Sequence, residues 1–513
     1  MTAPAVLTLA NASAAAITEL PRHDAAGFGK LVARSHGRRV AALFACPRGA
    51  GLEAIAVIAA DGDGVLELAA TELGASYPSI TPHCPQVQLF EREIWEQWGV
   101  LPIGHPWLKP VRFQPPARGE PAADRPTGDP TGGLAPRDPA PQIGVTEFYR
   151  IEGDEVHEVA VGPVHAGVIE PGHFRFQCHG EDVMHLEISL GYQHRGVERA
   201  LVGGPNPRSV HLAETVAGDT TVGHATAYCQ AIEALAGVRP PPRAMAIRAL
   251  GLELERLANH VGDLGALAND IGFLPTAAYC GRLRGDFLNL TAEICGNRFG
   301  RGLVRPGGVG YDISEPRAAG MVTRLDHAVR DTHAAVELLW ETGSVQARFE
   351  DTGRITIDVA RQLGLVGPAA RASGLKRDVR TTHPSGYYRF VHLPVSVWNT
   401  GDVFGRGFVR WLEIQRSAEF VRAQLTRLPA GEVMAAVPRP GGARICASLV
   451  EGWRGEICHV AITDELGRFA AYKIVDPSFH NWMGLAMALR DQQISDFPLC
   501  NKSFNLSYCG HDL

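Results

Sequence analysis

Six aliphatic side chains, Ile247, Leu250, Leu254, Leu257, Val261 and Leu264, recur at steps of 3, 4, 3, 4 and 3 residues. Only an α-helix turns that spacing into one continuous stripe. Pro240, Pro241 and Pro242 punctuate its start, which predicts a helix from about Arg243 to Leu267. A stripe this long needs apolar partners, so the surrounding chain is expected to be mainly helical. A second row, Glu253, Arg256, His260 and Asp263, steps by 3, 4 and 3 beside the first. The spacing is read first as a solvated face, with surface ion pairs worth under ~1 kcal/mol each. The competing reading is a partly buried polar row that relays protons.

Ala318–Glu341 and Val403–Leu428 predict two further helices, with glycine-rich turns between them. The first hundred residues read differently. Arg38–Cys46, Leu52–Ala60 and Val65–Leu73 are short apolar runs split by turn-forming residues, and predict strands. Val87, Phe90, Ile94 and Trp98 then predict a helix. The expected fold class is α+β: a small α+β domain over residues 1–114, followed by a large, mainly helical domain over 145–513. Between them, Pro115–Pro141 holds eight prolines and four glycines, so 115–144 is predicted to be a linker or extended arm.

Composition removes several function classes. With 45% hydrophobic and 20% charged residues, wholesale disorder is excluded. A net charge of −6 argues against a nucleic-acid partner. No apolar stretch reaches eighteen residues, so no direct membrane span is expected. The first twenty residues lack Lys and Arg, so no secretory signal is expected and the ten cysteines are read as reduced thiols. None lies in a Cys-x-x-Cys pair. Cys229, Cys280 and Cys295 are read as small buried hydrophobes.

Groups costly to bury cluster in Gly162–His165, Glu170–Arg175, Gly191–Glu198, Arg377–Arg380 with His383, and Asp476–Phe479. The residues alone are compatible with solvated turns, buried ion pairs or a polar central site. Here the sequence resembles a known family. Glu91-Arg92-Glu93-Ile94-Trp95, Gly99 and Gly104-His105-Pro106 resemble the 30 kDa-type subunit of respiratory complex I. Gly162 onward, through His194-Arg195-Gly196-Val197-Glu198 and Arg377-Asp378-Val379-Arg380, resembles its 49 kDa-type subunit. It is also similar to the large subunit of energy-converting nickel–iron hydrogenases of the formate-hydrogenlyase type. The tail, Asp496-Phe497-Pro498-Leu499 and Asn501–Tyr508, adds to the hydrogenase likeness.

The resemblance implies a nickel–iron centre held by four thiolates, which are soft, anionic and able to bridge metals. At the matching positions this chain has Ala217, Thr220, Ser478 and Asn481. No nickel–iron centre and no hydrogen turnover are therefore expected, and no cofactor bound by this chain. Asp219, Thr220, His224 and Ser478 are left either to line a pocket or to fill it. The complex I likeness keeps quinone open as a ligand, but its tyrosine position falls at Gly218 and its histidine position, loosely, at His173. Glu198 matches the glutamate through which hydrogenases pass protons. With Arg195 nearby it reads either as a proton carrier or as an ion pair fixing two loops.

The resemblance implies a peripheral-arm subunit of a complex I-like, hydrogenase-related membrane complex. An iron–sulfur small subunit and antiporter-like integral membrane subunits are the expected partners, on the cytoplasmic side of the membrane. The alternatives are a subunit of a quinone-reducing NADH dehydrogenase and a non-catalytic scaffold. No Gly-x-Gly-x-x-Gly segment follows a strand, so NAD binding is assigned to another subunit.

Overall fold

A computed structural model describes residues 5–34, 38–115, 142–165 and 169–513. Residues 116–141, most of the predicted linker, lie outside the described residues.

The N-terminal sheet follows from its sequence pattern. β1 (Leu7–Leu9), β4 (Arg39–Arg48), β5 (Gly51–Ala60) and β6 (Val65–Leu73) run in the order β1-β6-β5-β4, all antiparallel. β2 (Ser13–Ala16) leaves for another sheet, and β3 (Arg22–His23) pairs with β6 in parallel. β4 and β5 are near-continuous apolar runs, as strands covered on both faces must be. One cover comes from α1 (Ala25–Ala33) and α2 (Gln88–Trp98), through Phe28, Phe90 and Ile94. The apolar spacing of Val87–Trp98 predicts the second of these helices. A parallel pair, β7 (Ser76–Pro78) with β8 (Leu101–Ile103), flanks α2.

The rest opens with an antiparallel sheet of β9 (Val156–Val161), β10 (His173–His179) and β11 (Asp182–Ser189). Short helices α3 (Val197–Leu201) and α4 (Ser209–Glu214) lead to α5 (Thr221–Ala236), α6 (Pro242–Asp270) and α7 (Leu274–Cys295). All six stripe residues of α6 are fully buried, between α7 and a later helix. A two-stranded pair, β12 (Val304–Arg305) and β13 (Gly308–Val309), precedes α8 (Glu315–Glu341). Then come α9 (Gly343–Phe349), α10 (Ile357–Gln362), α11 (Gly367–Ala372), α12 (Val379–Thr382) and the long α13 (Val403–Thr426). β14 (Arg444–Gly452), β15 (Gly455–Thr463) and β16 (Phe469–Val475) form a meander, and α14 (Pro477–Ala488), α15 (Phe497–Phe504) and α16 (Tyr508–Asp512) close the chain.

The two predicted domains share a sheet and a core. β2 pairs with β14 from Ser13↔Ala447 to Ala16↔Arg444, extending the meander to four strands. Ile445, Ala447, Val460 and Ile462 pack into the same core as Val40, Ile55 and Phe90. Buried ion pairs cross the same boundary: Arg39 with Glu456, and Lys473 with Glu93 at 2.6 Å. The reason is local. β14 would otherwise present a row of unpaired backbone groups inside the protein.

Asn11 fastens this junction. Its side-chain amide donates to the carbonyls of His383 (2.7 Å) and Leu449 (2.9 Å), and its Oδ1 accepts from the Leu449 amide (2.7 Å). Asn11→Ala leaves these buried backbone groups unpaired. It is expected to cost about 2–3 kcal/mol and lower the thermal unfolding midpoint; an unchanged midpoint would show that the junction does not need the amide.

Candidate functional site

Three turns converge on one buried place. The first, Ala217–Thr220, precedes α5. The second is the start of α14, where Asp476 is the N-cap and accepts from the Ser478 amide at 2.8 Å. The third is the β14–β15 turn, Trp453–Arg454. Arg454 grips Asp219 with two parallel hydrogen bonds, 2.6 and 2.7 Å, and its guanidinium lies 3.9 Å from the Trp453 ring centre. Such a fork is stronger and more directional than a single ionic contact. The Asp219 carbonyl also accepts from Trp453 Nε1 (2.9 Å) and Asn259 Nδ2 (3.0 Å). Burial would raise the Asp219 pKa, but Arg454 and Thr220 hold it below the usual value.

His224, one turn into α5, is fully buried. Its Nε2 lies 3.0 Å from Asp476 Oδ2 and its Nδ1 lies 3.1 Å from His459 Nε2. His459 Nδ1 in turn lies 2.9 Å from the Tyr472 hydroxyl. Burial opposes ionisation of Asp476, but the bond from His224 and the nearby charge outweigh it and keep its pKa low. Burial, then the neighbouring His224, push the His459 pKa far down. Asp476, His224, His459 and Tyr472 therefore form one continuous hydrogen-bonded chain.

The four positions that the resemblance assigns to thiolates are each committed to the fold. Ala217 offers only a buried methyl. The Thr220 hydroxyl donates to Asp219 (3.2 Å) and accepts from Arg454 (3.3 Å). Ser478 Oγ accepts from the Ser507 amide (2.8 Å). Asn481 accepts from the Val366 amide (3.0 Å) and donates to its carbonyl (3.1 Å). This donor set does not fit a nickel–iron centre, which needs soft anionic ligands. Gly218 is exposed, and a Cβ built there meets nothing within 4 Å.

The other residues singled out from sequence do not join this cluster. Glu198 accepts from the Ile474 amide (2.8 Å) and pairs with Lys473 (3.1 Å), which also serves Glu93. Arg195 is not its partner. Its guanidinium donates to the carbonyls of Thr215 (2.5 Å), Val216 (2.9 Å) and Cys509 (3.0 Å), tying the turn before α5 to α16. His173 sits on β10, bonded to the Gly162 carbonyl (3.0 Å) and to Arg175 (3.2 Å).

The solvated-face reading of the second row on α6 is overturned. Glu253, Arg256, His260 and Asp263 are all buried. Glu253 accepts from Arg380 (3.1 Å), Arg256 (3.2 Å), Tyr388 (2.6 Å) and Ser417 (2.6 Å). On α13, Glu413 receives His260 (2.8 Å), Arg256 (3.3 Å) and Arg371 (2.7 Å). Asp263 is held by Arg410 at 2.7 Å. The row is buried because α13 supplies the opposite charges about 150 residues away, which spacing on one helix cannot reveal. Arg454, Glu413, His459 and Tyr472 were missed in sequence. A histidine and a tyrosine inside largely apolar strands are the local signal that two of them give.

Comparison with known proteins agrees with this architecture. Residues 59–124 match the family model "Respiratory-chain NADH dehydrogenase, 30 Kd subunit", and residues 270–446 match "Respiratory-chain NADH dehydrogenase, 49 Kd subunit". The chain carries the two complex I regions fused in one polypeptide. Formate hydrogenlyase subunit 5 of Escherichia coli is 29% identical over 84% of this chain and 76% of its own length. The membrane-bound hydrogenase subunit alpha of Pyrococcus furiosus is 28% identical over 68% of this chain and 85% of its own length. A subunit of the NADH-quinone oxidoreductase of Solibacter usitatus is 29% identical over 66% of this chain and 91% of its own length. The site itself, at 217–224 and 453–481, lies outside both matched stretches. The relatives thus include complex I-like subunits and hydrogenase-related subunits, and mixed α and β content goes with both regions.

Glu255 sits beside the cluster, accepting from the amides of Val222 (2.7 Å) and Gly223 (3.2 Å) at the start of α5. Burial, against these bonds and with Asp219 nearby, pushes its pKa up to about 8. Between about pH 4.5 and 8 the folded state keeps a proton that the unfolded state releases, so stability falls as pH rises through this window. Glu255→Gln keeps one of the two acceptors, without the charge, and sets its NH2 against the other backbone N–H. It is expected to lie below the parent near pH 5 and to gain on it by up to about 5 kcal/mol as pH rises past about 8. Denaturation at the two pH values checks this, and an equal difference at both would remove the titration from the account.

Proposed function

We propose that this chain is a peripheral-arm subunit of a complex I-like, hydrogenase-related membrane redox complex. In this reading the place of the nickel–iron centre is taken by a buried hydrogen-bonded core, and the chain contributes assembly and coupling rather than hydrogen turnover. The observation that carries it is the fate of the four ligand positions: Ser478 and Asn481 spend their polar atoms on Ser507 and Val366, and Ala217 has none. An iron–sulfur small subunit and antiporter-like membrane subunits are the proposed partners, with attachment from the cytoplasmic side. Among the described residues no helix is long and apolar enough to cross a membrane.

The residues suggest what coupling requires. The Asp476–His224–His459–Tyr472 chain is a continuous hydrogen-bonded path in a dry place. The α6–α13 charge network lies next to it, because Arg256 donates to the carbonyls of Glu451 (2.7 Å) and Gly452 (3.1 Å), directly before Trp453 and Arg454. A charge change in a partner at the Asp219 face would be felt along both. Quinone is the alternative left open by the likeness, although its tyrosine position is Gly218, which has no side chain to donate a hydrogen bond.

Two measurements test the proposal. Metal analysis of the native complex, free of tag histidines, is expected to give no stoichiometric nickel; one nickel per chain with hydrogen uptake would end this reading. Mild-detergent purification is expected to recover an iron–sulfur subunit and polytopic membrane proteins, whereas a stable homomer alone would favour an independent role.

His260→Leu tests the coupling. It removes one hydrogen bond to Glu413 and is expected to leave assembly intact while lowering coupled ion transport severalfold. Transport at the parent rate would exclude the row as a relay. Glu253→Gln is a poor substitute, because removing one buried charge from paired arginines costs about 3–5 kcal/mol.

A further inference from the structure

A cavity of about 630 Å³ opens along one face of α5, well down the helix from the ligand positions. Thr226, Gln230, Glu233 and Gly237 line it at helical spacing. Its other walls are the start of β2, the first turns of α6, the end of β14 and residues 385–390. The volume lies in the range of small-molecule sites, roughly 300–1,000 Å³.

Three features define what would fit. First, Thr226 is 2% exposed and its hydroxyl has no hydrogen-bond partner in the protein. A helical threonine normally bonds the carbonyl one turn back. An unmade bond here is costly in isolation, and a bound acceptor or donor relieves it. Second, the body of the cavity is apolar, formed by Val238, Met245, Ala249, Leu252, Leu449 and Val450. Third, four arginines line it against two glutamates. Glu233 is committed to Arg248 and Glu451 to Arg371. At the exposed mouth, Arg239 and Arg389 have no carboxylate partner among the described residues. Phe390 stands beside them, 72% exposed.

We propose that this cavity binds a small anionic amphiphile. Its acid group lies at Arg239 and Arg389, its apolar body along Ala249 and Leu252, and a polar atom within reach of the Thr226 hydroxyl. The site is separate from the Asp219–His224 cluster and does not rest on the membrane-complex reading. Charge decides the class: a cation would meet two unpaired arginines, and a neutral apolar molecule would leave them solvated with no gain.

The test uses the purified full-length chain and the fluorescent anion 8-anilinonaphthalene-1-sulfonate. Saturable binding near one per chain is expected, displaced by decanoate and not by decyltrimethylammonium of the same chain length. Arg239→Glu, at the exposed mouth where folding is not at risk, is expected to weaken binding about tenfold. Thr226→Val, nearly the same shape, is expected to weaken it severalfold, with unfolding midpoints measured alongside. Absence of saturable binding overturns the proposal. So does equal displacement by the cationic amphiphile, or affinity unchanged in both variants.

Discussion

The carboxylate of Glu413 is the contact on which the large domain turns. It stands in the middle of α13 and is met by His260 and Arg256 from α6 and by Arg371 from α11. Arg371 continues to Glu451 at the end of β14, and Glu253 continues to Arg380 on α12. Five elements are thereby held through charges that have no water to fall back on. In this group Arg256, Arg371 and Arg380 face Glu253, Glu413, Glu451 and Asp378. Burial raises the Glu451 pKa, while Arg371 and the neighbours of Glu413 hold that acid far below its ordinary value. Buried ions of this kind are weak evidence for stability but fix geometry tightly, because each alternative packing strands a charge.

The cluster at Asp219 and His224 shows how the positions that the resemblance assigns to thiolates are absorbed into the protein interior. Replacing a thiolate by a hydroxyl or amide leaves a polar atom needing a partner. Ser507 and Val366 supply those partners, and Arg454 closes over Asp219. What remains is not an inert plug. The histidine pair joins Asp476 to Tyr472 in one buried hydrogen-bonded chain.

Much of the fold was legible because periodicity is local. The α6 stripe, β4 to β6 and the Val87–Trp98 helix sit within a few residues of where their patterns put them. The site was half legible. His224 and Asp219 do meet in space with α14 and the β14–β15 turn. The pairing of Arg195 with Glu198 was wrong in physical terms: three carbonyls compete for that guanidinium, and Lys473, from a strand far along the chain, reaches Glu198 instead. The burial of the α6 charge row was equally hidden, since the ions that permit it lie on α11, α12 and α13.

The pairing of β2 with β14 joins residues some 430 positions apart. Loop closure over that separation is slow, and a strand made first must wait for its edge until the last quarter of the chain exists. As two separate polypeptides, the same edge would have to be found by collision at cellular concentration. A covalent connection instead fixes the strand at a local concentration that dilution cannot change. The fused arrangement therefore makes closure of this sheet a unimolecular event, with stoichiometry of the two regions set at one to one by synthesis itself.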